Sequence, residues 1–171
     1  MKIITTTNRL IMREFLPEDA PYFCALNNDW EVMKYTGDKA FTDEEDALNL
    51  ILNYTDYKKN GFGRCTVVLK ESNEVIGWCG LKRHLNKEVD LGYRLLRRYW
   101  NKGYATEASL KILDHGFKEY GLEEVVGHVS PLNGASIRIF EKCGFRFVKR
   151  DDYEDFGDCL HYIITKEEFY A

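Results

Sequence analysis

The sequence predicts a single α/β (α+β) domain, residues 1–171, built around a mixed sheet. Segments with the two-residue alternation of strands occur in both halves of the chain, and segments with helical spacing lie between them. From the segment VDLGYRL onward the chain predicts the order strand, helix, strand, helix, strand, strand, which is typical of such a sheet. With 171 residues and no repeat, low-complexity tract or linker, the chain has the length of one domain.

The N-terminal part predicts one strand followed by two helices. Apolar and charged residues alternate from Arg9 through RLIMREF, which indicates the first strand. Pro17 suits the first turn of a helix, which we expect to continue to about Asn27. A short helix over residues 30–35 follows it.

A third helix and three strands complete the first half. Thr42 and Glu45 have the spacing of a capping box, so a helix is expected to begin there and to continue to about Lys59. The next two segments predict a hairpin around the polar turn 71–74, and one more strand follows. The three strand segments are RCTVVLK, VIGWCGLK and VDLGYRL.

Two helices and three strands are predicted in the second half. Apolar residues at helical spacing over 105–120 predict a long helix that ends at Gly121, and EVVGHV has the pattern of a buried strand. Asn133 can cap the next helix, and Gly144 can close it in a left-handed conformation. The last two strand segments are FRFVKR and CLHYIITK.

Composition and charge exclude several classes of protein. Lysine and arginine total 24 against 28 acidic residues, a net charge of −4, so no general positive field attracts a nucleic acid. No apolar run approaches the roughly 18 residues of a membrane helix, and no signal segment is visible, which favours a cytoplasmic protein. The five cysteines and four histidines are scattered, so we expect reduced thiols and no bound metal.

The segment DLGYRLLRRYWNKGYATEAS predicts an anion site. A strand ends near Leu96, a polar loop with Gly103 follows, and a helix begins near Tyr104, so main-chain N–H groups point out of the helix start. Basic residues surround this loop although the whole chain is acidic, which favours a partner that carries phosphate. They are Arg94, Arg97, Arg98 and Lys102. An ordinary strand-to-helix turn with a solvated basic rim is the alternative.

This loop resembles that of a known family. The run WNKGYA, with TEA after it, is similar to the acetyl-CoA loop of the GNAT N-acetyltransferases, in particular of their RimJ/RimL-type branch. Further segments resemble that branch in the expected order, so the resemblance covers nearly the whole chain. They are RLIMREFLPEDA followed by EVMKYTGD, VIGWCGL with DLGYRL, and NGASIRIFEKCGF.

The resemblance implies the GNAT fold. That fold has a mixed, mostly antiparallel central sheet, here of six to seven strands, with helices flanking it. It also implies a V-shaped split between the strands near 89–96 and 125–129. Acetyl-CoA would occupy this split from one side, and the acceptor would enter from the opposite side.

The resemblance also implies which residues bind acetyl-CoA. Backbone groups of Tyr93, Leu95 and Leu96 would bind the pantetheine arm as a neighbouring strand does. Asn133 resembles the family's pantetheine-contacting asparagine, or serves only as an N-cap. Main-chain N–H groups of the loop would bind the pyrophosphate. The loop residues expected to bind the cofactor are Arg98, Asn101, Lys102, Gly103, Tyr104, Ala105 and Thr106.

Three residues depart from the family pattern. Trp100 stands where the pattern has Gln or Arg, and Asn101 stands where this branch commonly has Gly. Asn tolerates left-handed backbone better than most residues, so cofactor binding is expected to be weakened and not lost. Phe140 falls where many family members place the tyrosine that protonates the departing thiolate, and Phe has no proton to donate.

Acyl transfer to an amine also needs a group that removes a proton, because amines are largely protonated at neutral pH. Asp90 occupies the place where this branch often has a Glu facing the cleft, and it is the candidate general base. An exposed Asp90 paired with Arg94 is the competing interpretation, and His84 and Glu88 are reserves. Ser136 is the candidate donor to the sulfur, or a helix-start serine with a local hydrogen bond.

Together these observations predict a cytoplasmic enzyme that transfers an acetyl group from acetyl-CoA to a primary amine by direct attack in a ternary complex. The expected acceptor is a small-molecule or peptide amine. No nucleic acid, membrane or metal is expected, and a monomer and a homodimer both stay open. The alternative is a catalytically silent CoA-binding or sensor module of the same fold, which Phe140 and Asn101 favour.

Overall fold

The structure is a computed structural model that describes residues 1–153 and 156–171. Within those ranges eight strands form one sheet. They are β1 (Ile3–Thr6), β2 (Leu10–Arg13), β3 (Arg64–Leu69), β4 (Glu74–Arg83), β5 (Val89–Leu95), β6 (Glu124–Val129), β7 (Arg146–Tyr153) and β8 (Gly157–Thr165). Their order across the sheet is β1-β2-β3-β4-β5-β6-β8-β7.

Seven α-helices accompany the sheet in the described part of the chain. They are α1 (Ala20–Asn28), α2 (Trp30–Met33), α3 (Glu44–Leu52), α4 (Asp56–Asn60), α5 (Tyr104–Glu119), α6 (Gly134–Lys142) and α7 (Lys166–Tyr170). Short 3-10 turns lie at Pro17–Asp19 and Arg97–Tyr99. Of the helices described, none has both the length and the apolar character needed to cross a bilayer.

The sheet is split between β5 and β6. These two described strands are parallel, whereas each other neighbouring pair is antiparallel. Their register joins Asp90 to Val126, near the beginning of both strands. Beyond this point the described residues of β5 and β6 form no further pairs, so the strands diverge toward their C-terminal ends. The V-shaped split predicted from the sequence is therefore confirmed.

The two faces of the sheet carry different helices. Leu81 lies against Gly116 of α5, and the Tyr93 ring lies 6.4 Å from Phe140 of α6, so these two helices cover one face. Arg94 points to the opposite face, where its Nη1 donates to Asn27 of α1 at 2.8 Å. Because side chains alternate along a strand, Asp90 shares the face of Arg94. The split thus opens between a face covered by α5 and α6 and a face covered by α1.

A buried ion pair attaches α1 to the sheet. Asp19, which is fully buried, accepts hydrogen bonds from Arg13 Nη1 at 2.8 Å and from Arg13 Nη2 at 2.7 Å. It also accepts from the Thr66 hydroxyl of β3 at 2.6 Å and from the Leu16 N–H at 2.9 Å. With four donors the carboxylate is fully satisfied, so the start of α1 is fixed against the sheet.

Two details of the sequence prediction are wrong. The sheet has eight described strands and not six or seven, because β1 is an edge strand of mixed burial whose sequence IITT has no clear alternation. The helix predicted from Thr42 to Lys59 is two helices, α3 and α4, with a break between them. The N-cap of α3 is Asp43 and not Thr42, and the Asp43 carboxylate accepts a hydrogen bond from the Asp46 N–H at 3.1 Å. Sequence spacing alone does not distinguish adjacent polar residues as caps.

Candidate active site

Two cavities meet at the split. The first, of about 610 Å³, extends from β5 to the start of α5 and to α6. The second, of about 400 Å³, lies on the face that carries Asp90. Residues that line both cavities mark their junction. They are Tyr35, Thr36, Tyr93, Arg94, Asn133 and Ser136.

The first cavity ends at the N-terminus of α5. Gly103 caps this 16-residue helix with a φ of +80°, and Asn101 adopts a φ of +59°. The first hydrogen bond of the helix runs from the Glu107 N–H to the Gly103 carbonyl at 3.0 Å. The N–H groups of the preceding turn have no acceptor within the helix, so they are suited to an anion. The predicted residues of this turn that line the cavity are Asn101, Gly103, Tyr104, Ala105 and Thr106.

Arg9 supports this loop from a distant part of the sequence. Its Nη1 donates to the Lys102 carbonyl at 3.0 Å, and its guanidinium lies 4.4 Å from the centre of the Tyr104 ring. Its Nε donates to the Glu107 carboxylate at 2.6 Å. Burial opposes ionisation of Glu107, but hydrogen bonds from Thr7 and Arg9 outweigh it and hold the pKa of Glu107 below its usual value. Local sequence patterns do not predict this role of Arg9, because only the fold brings the residue to the loop.

The backbone of β5 presents hydrogen-bonding groups to the split. The Leu96 N–H donates to the Ile76 carbonyl of β4 at 2.9 Å. The backbone N–H and C=O groups of every second residue of β5 therefore point toward β4, and those of the residues between them point into the split. Tyr93 and Leu95 belong to the second set. The Leu95 carbonyl accepts from the Trp100 indole at 2.9 Å, which leaves its N–H and both backbone groups of Tyr93 for a ligand strand. Leu96 is different, since its N–H is used inside the sheet and its side chain is buried.

Most of the basic residues that were expected to surround the phosphate-binding loop do not line the first cavity. Arg98 pairs with Glu74, and Arg97 pairs with Asp29 at 3.1 Å. Lys102 is exposed to solvent. Three of the residues expected to bind the cofactor, Leu96, Arg98 and Lys102, do not line the first cavity. Arg94 does line it, but it pairs with Asp38 at 2.7 Å. The cations that line the cavity are Lys34, Arg94, Arg138 and Lys142, of which the sequence analysis named only Arg94.

Asp90 lies in the second cavity and is not the exposed partner of Arg94. Its Oδ1 is 2.9 Å from Arg64 Nη2, and its Oδ2 is 3.1 Å from His84 Nε2. The side chain is only 14% exposed. Burial opposes ionisation, but the Arg64 guanidinium and the His84 contact outweigh it and hold the pKa of Asp90 below its usual value.

Arg64 reaches Asp90 because Gly92 lies between them without a side chain. A Cβ on Gly92 would stand 2.7 Å from the guanidinium, so the arginine lies flat across the strand there. Its Nη1 also donates to the Gly80 carbonyl at 2.6 Å, and the Trp78 ring lies 5.1 Å away. The guanidinium is therefore fixed on three sides beside the carboxylate.

A cluster of aromatic rings continues from His84 across the second cavity. His128 stacks on Tyr153 at 3.8 Å and packs edge-on against His161 at 4.9 Å. Its ring lies 6.3 Å from that of His84. Burial lowers the pKa of His128 to about 4, against the opposing charge of Asp90, so this imidazole is neutral at physiological pH. Among the residues described, no group of three or more His, Cys, Asp or Glu side chains has metal-binding geometry.

The start of α6 forms the far wall of both cavities. Asn133 is the N-cap of this helix, and its Oδ1 accepts from the Ser136 N–H at 3.2 Å. The predicted capping role is therefore confirmed, while its predicted contact with pantetheine stays a prediction. Phe140 lies one helical turn beyond Ser136, where its ring is buried and stacks on the ring of Tyr162 with 5.8 Å between the ring centres.

Two variants of Asn133 separate its two roles. Asn133→Ala is expected to lower the free energy of unfolding by about 1 kcal/mol, because the cap is lost, whereas Asn133→Asp preserves the cap. If the side-chain amide also donates to pantetheine, both variants weaken acetyl-CoA binding, because neither keeps the amide donor. Chemical denaturation and calorimetric titration measure the two effects. Full affinity in Asn133→Asp would restrict Asn133 to capping.

Comparisons with known proteins show which family the chain is similar to. The acetyltransferase (GNAT) domain family matches residues 9–146. The chain is 36% identical over 143 residues to the uncharacterized N-acetyltransferase p20 of Bacillus licheniformis, a match that covers 82% of this chain and 80% of that protein.

Solved structures of acetyltransferases are also similar to this chain. The chain is similar to a GNAT-family acetyltransferase from Bacillus anthracis, with a TM-score of 0.83, 29% identity and coverage of 98% of this chain and 99% of the other. It also shares the fold of a spermidine N-acetyltransferase from Vibrio cholerae in complex with CoA and spermine. That match has a TM-score of 0.81 at 20% identity and covers 96% of this chain and all of that one.

Proposed function

The chain belongs to the GNAT acetyltransferase family, and from this premise we propose that it transfers an acetyl group from acetyl-CoA to a primary amine. The whole of residues 1–171 would act as one domain. The observation that supports this proposal most strongly is the junction of two cavities at a split sheet, one ending at a helix N-terminus and the other at a carboxylate. This arrangement provides separate entrances for a phosphate-bearing donor and for an amine.

The residues present fit acetyl-CoA in the first cavity. The main-chain N–H groups over 101–106 would bind the pyrophosphate, and the Thr106 hydroxyl would add a donor. The backbone of Tyr93 and the Leu95 N–H would bind the amides of the pantetheine arm, so the arm completes the interrupted sheet. This placement directs the thioester toward the junction, where Ser136 and Asn133 lie.

The amine would approach from the second cavity and attack the thioester directly. Bound together in one complex, the reactants gain from orientation, which in favourable cases lowers a barrier by roughly 7 to 11 kcal/mol. Asp90 would accept the amine proton directly or through water, with His84 beside it. The Arg64 ion pair lowers the basicity of Asp90, but it also fixes the carboxylate in an ionised form.

The acceptor is proposed to be a small-molecule or peptide amine. The described carboxylates that line the second cavity, Asp38 and Asp90, are both paired with arginines. They therefore offer little net negative charge to a polycation such as the spermine of the Vibrio cholerae structure. A test panel accordingly needs amines with one positive charge as well as polyamines.

Two finer assignments accompany the proposal. The segments that resemble the RimJ/RimL-type branch extend over nearly the whole chain, which supports membership of that branch. The five cysteines are free thiols, four of them buried, which is consistent with a reducing compartment and supports a cytoplasmic location. Both assignments are independent of the identity of the acceptor.

Calorimetry with acetyl-CoA and a thiol-release assay test the function together. We expect saturable binding of acetyl-CoA, and release of CoA with at least one member of a panel of polyamines, aminoglycosides, arylalkylamines and peptides with unblocked N-termini. Binding without CoA release across the panel would favour the sensor module that Phe140 suggests. Absence of binding at millimolar acetyl-CoA would contradict both functions.

A further inference from the structure

The wall of the second cavity carries more positive than negative charge. Among the described residues that line it, the basic side chains outnumber the acidic ones before any histidine is counted. The basic residues are Arg64, Lys82 and Arg94, and the acidic residues are Asp38 and Asp90. A cavity that selects a cation by charge has the opposite balance. Because the proposed acceptor is an amine, this surplus of positive charge needs a separate explanation.

Two arginines of this wall contact the same tryptophan. The guanidinium carbons of Arg64 and Arg94 lie 5.1 Å and 5.2 Å from the centre of the Trp78 ring. Trp78 belongs to β4, the strand between β3, which carries Arg64, and β5, which carries Arg94. Both arginine side chains are largely buried. Two like charges removed from water in this way repel each other unless an anion compensates each of them.

The charge of Arg64 is better compensated than that of Arg94. Arg64 pairs with Asp90, a carboxylate that is itself largely buried. Arg94 is only 9% exposed, but its partner Asp38 is 62% exposed and lies on the segment between α2 and α3, outside any helix or strand. Ion pairs with a solvent-exposed member contribute little, because water and salt screen them. Arg94 therefore has room for a stronger anionic partner.

Arg94 also retains a buried hydrogen-bond donor. Its Nη1 and Nη2 donate to Asn27 and Asp38, whereas its Nε has no acceptor among the described residues. Burial lowers the pKa of Arg94, Asp38 partly opposes this, and the nearby charge of Arg64 adds to it. A buried donor without an acceptor is costly, and such groups usually have a functional explanation. Since Arg94 lines both cavities, a molecule bound at their junction lies within its reach.

On the premise of the proposed acetyl transfer, we infer that the acceptor is a small amine that also carries a carboxylate, an amino acid, and that Arg94 binds this carboxylate. A carboxylate matches the planar guanidinium and accepts two hydrogen bonds from it. It replaces the exposed carboxylate of Asp38, which competes for the same guanidinium. With its carboxylate at Arg94, the acceptor has its amine at the junction, between the thioester and Asp90.

The reaction that follows is the proposed transfer. The amine nitrogen forms a bond to the carbonyl carbon of the thioester, and the C–S bond breaks with its electron pair on sulfur. The amine proton passes to Asp90, directly or through water. Arg94 takes no part in these bond changes, so its contribution is to the affinity for the acceptor.

Matched pairs of amino acids and their carboxamides test this inference. The two members of a pair have nearly the same shape, and only the acid carries the negative charge. We expect the CoA-saturated protein to bind the preferred amino acid about 10- to 100-fold more tightly than its amide in calorimetry, the effect of one hydrogen bond between charged groups. With acetyl-CoA, KM for the acid should be lower by a similar factor, although the amide has the less basic amine. Equal binding of acid and amide throughout the common amino acids would overturn the inference, as would a preference for phosphoethanolamine over all of them.

Variants of the ion pair at the junction sharpen the test. Asp38→Asn removes the competing carboxylate from an exposed position, so it should fold normally and lower KM for the amino acid about two- to fivefold without changing KM for the amide. Arg94→Gln should abolish the difference between acid and amide, and Arg94→Lys should restore part of it. The matched controls are Asp158→Asn and Arg150→Gln, which change an exposed ion pair whose residues line neither cavity.

The outcomes separate this inference from the proposed function. A difference between acid and amide that persists in Arg94→Gln, or a KM for the amino acid that Asp38→Asn leaves unchanged, would overturn the inference. Asp38→Asn keeps the test valid if Arg94→Gln fails to fold. Release of CoA with polyamines at least as efficiently as with every amino acid would also overturn it and leave acetyl transfer intact. Absence of CoA release with every amine, by contrast, would contradict acetyl transfer, while calorimetry still measures the preference for the carboxylate in the complex with CoA.

Discussion

Replacing Gly103 with valine is expected to weaken acetyl-CoA binding about 10- to 100-fold. Gly103 caps α5 with a φ of +80°, a conformation that a β-branched residue adopts only with strain. The loop would relieve this strain by rotating the peptide groups whose N–H bonds would bind the pyrophosphate. Loss of one hydrogen bond to a charged group costs about 1.5 to 3 kcal/mol, which corresponds to this range of affinity.

Gly121→Val is the matched control at the other end of the same helix. Gly121 also has a positive φ, of +63°, and a Cβ there would meet nothing within 4 Å. Both variants should therefore lose similar stability in thermal unfolding, whereas only Gly103→Val should lose acetyl-CoA affinity in calorimetry. Equal affinities in the two variants would show that the loop does not bind the phosphates.

The sequence predicted those parts of the fold and site that depend on local residue patterns. Buried strands such as EVVGHV and the caps at Asn133, Gly121 and Gly144 follow from spacing within a few residues, and each lies where expected. The helix break after Leu52 was missed, because the stripe of apolar residues continues across it. Local periodicity describes which face is buried, but it does not show where a helix stops.

The parts that could not be predicted depend on contacts between distant residues. Asp90 was placed in the cleft by resemblance, but its partners Arg64 and His84 lie on or beside other strands and share no sequence motif with it. Arg9 is likewise 98 residues from Glu107. A signal was nevertheless present for Arg64, since Gly92 within an otherwise regular strand indicates a close approach by another group.

Asp90→Asn is expected to lower the rate of acetylation about 100-fold at neutral pH and to leave acetyl-CoA affinity nearly unchanged. Loss of a general base typically costs 10²- to 10⁴-fold, and the Asp90 carboxylate lies in the cavity that is separate from the proposed cofactor site. Steady-state rates with the best amine of the panel and calorimetry with acetyl-CoA measure the two quantities. Asp158→Asn, which removes a carboxylate from an exposed pair with Arg150, is the control and should keep the wild-type rate.

The ion pair with Arg64 gives Asp90 a structural role that must be separated from the catalytic one. Because the folded-state pKa of Asp90 lies below its unfolded value, its contribution to stability is present above the unfolded pKa and is lost as pH falls through the folded pKa. The difference in unfolding free energy between wild type and Asp90→Asn should therefore have its full value at pH 7. It should decline only below about pH 3.8, the ordinary pKa of an aspartate in the unfolded chain. A rate defect that matches the fraction unfolded would assign Asp90 to stability alone. A 100-fold defect in fully folded protein would instead place the carboxylate in the reaction, since the amide of asparagine preserves its shape and removes only its charge and basicity.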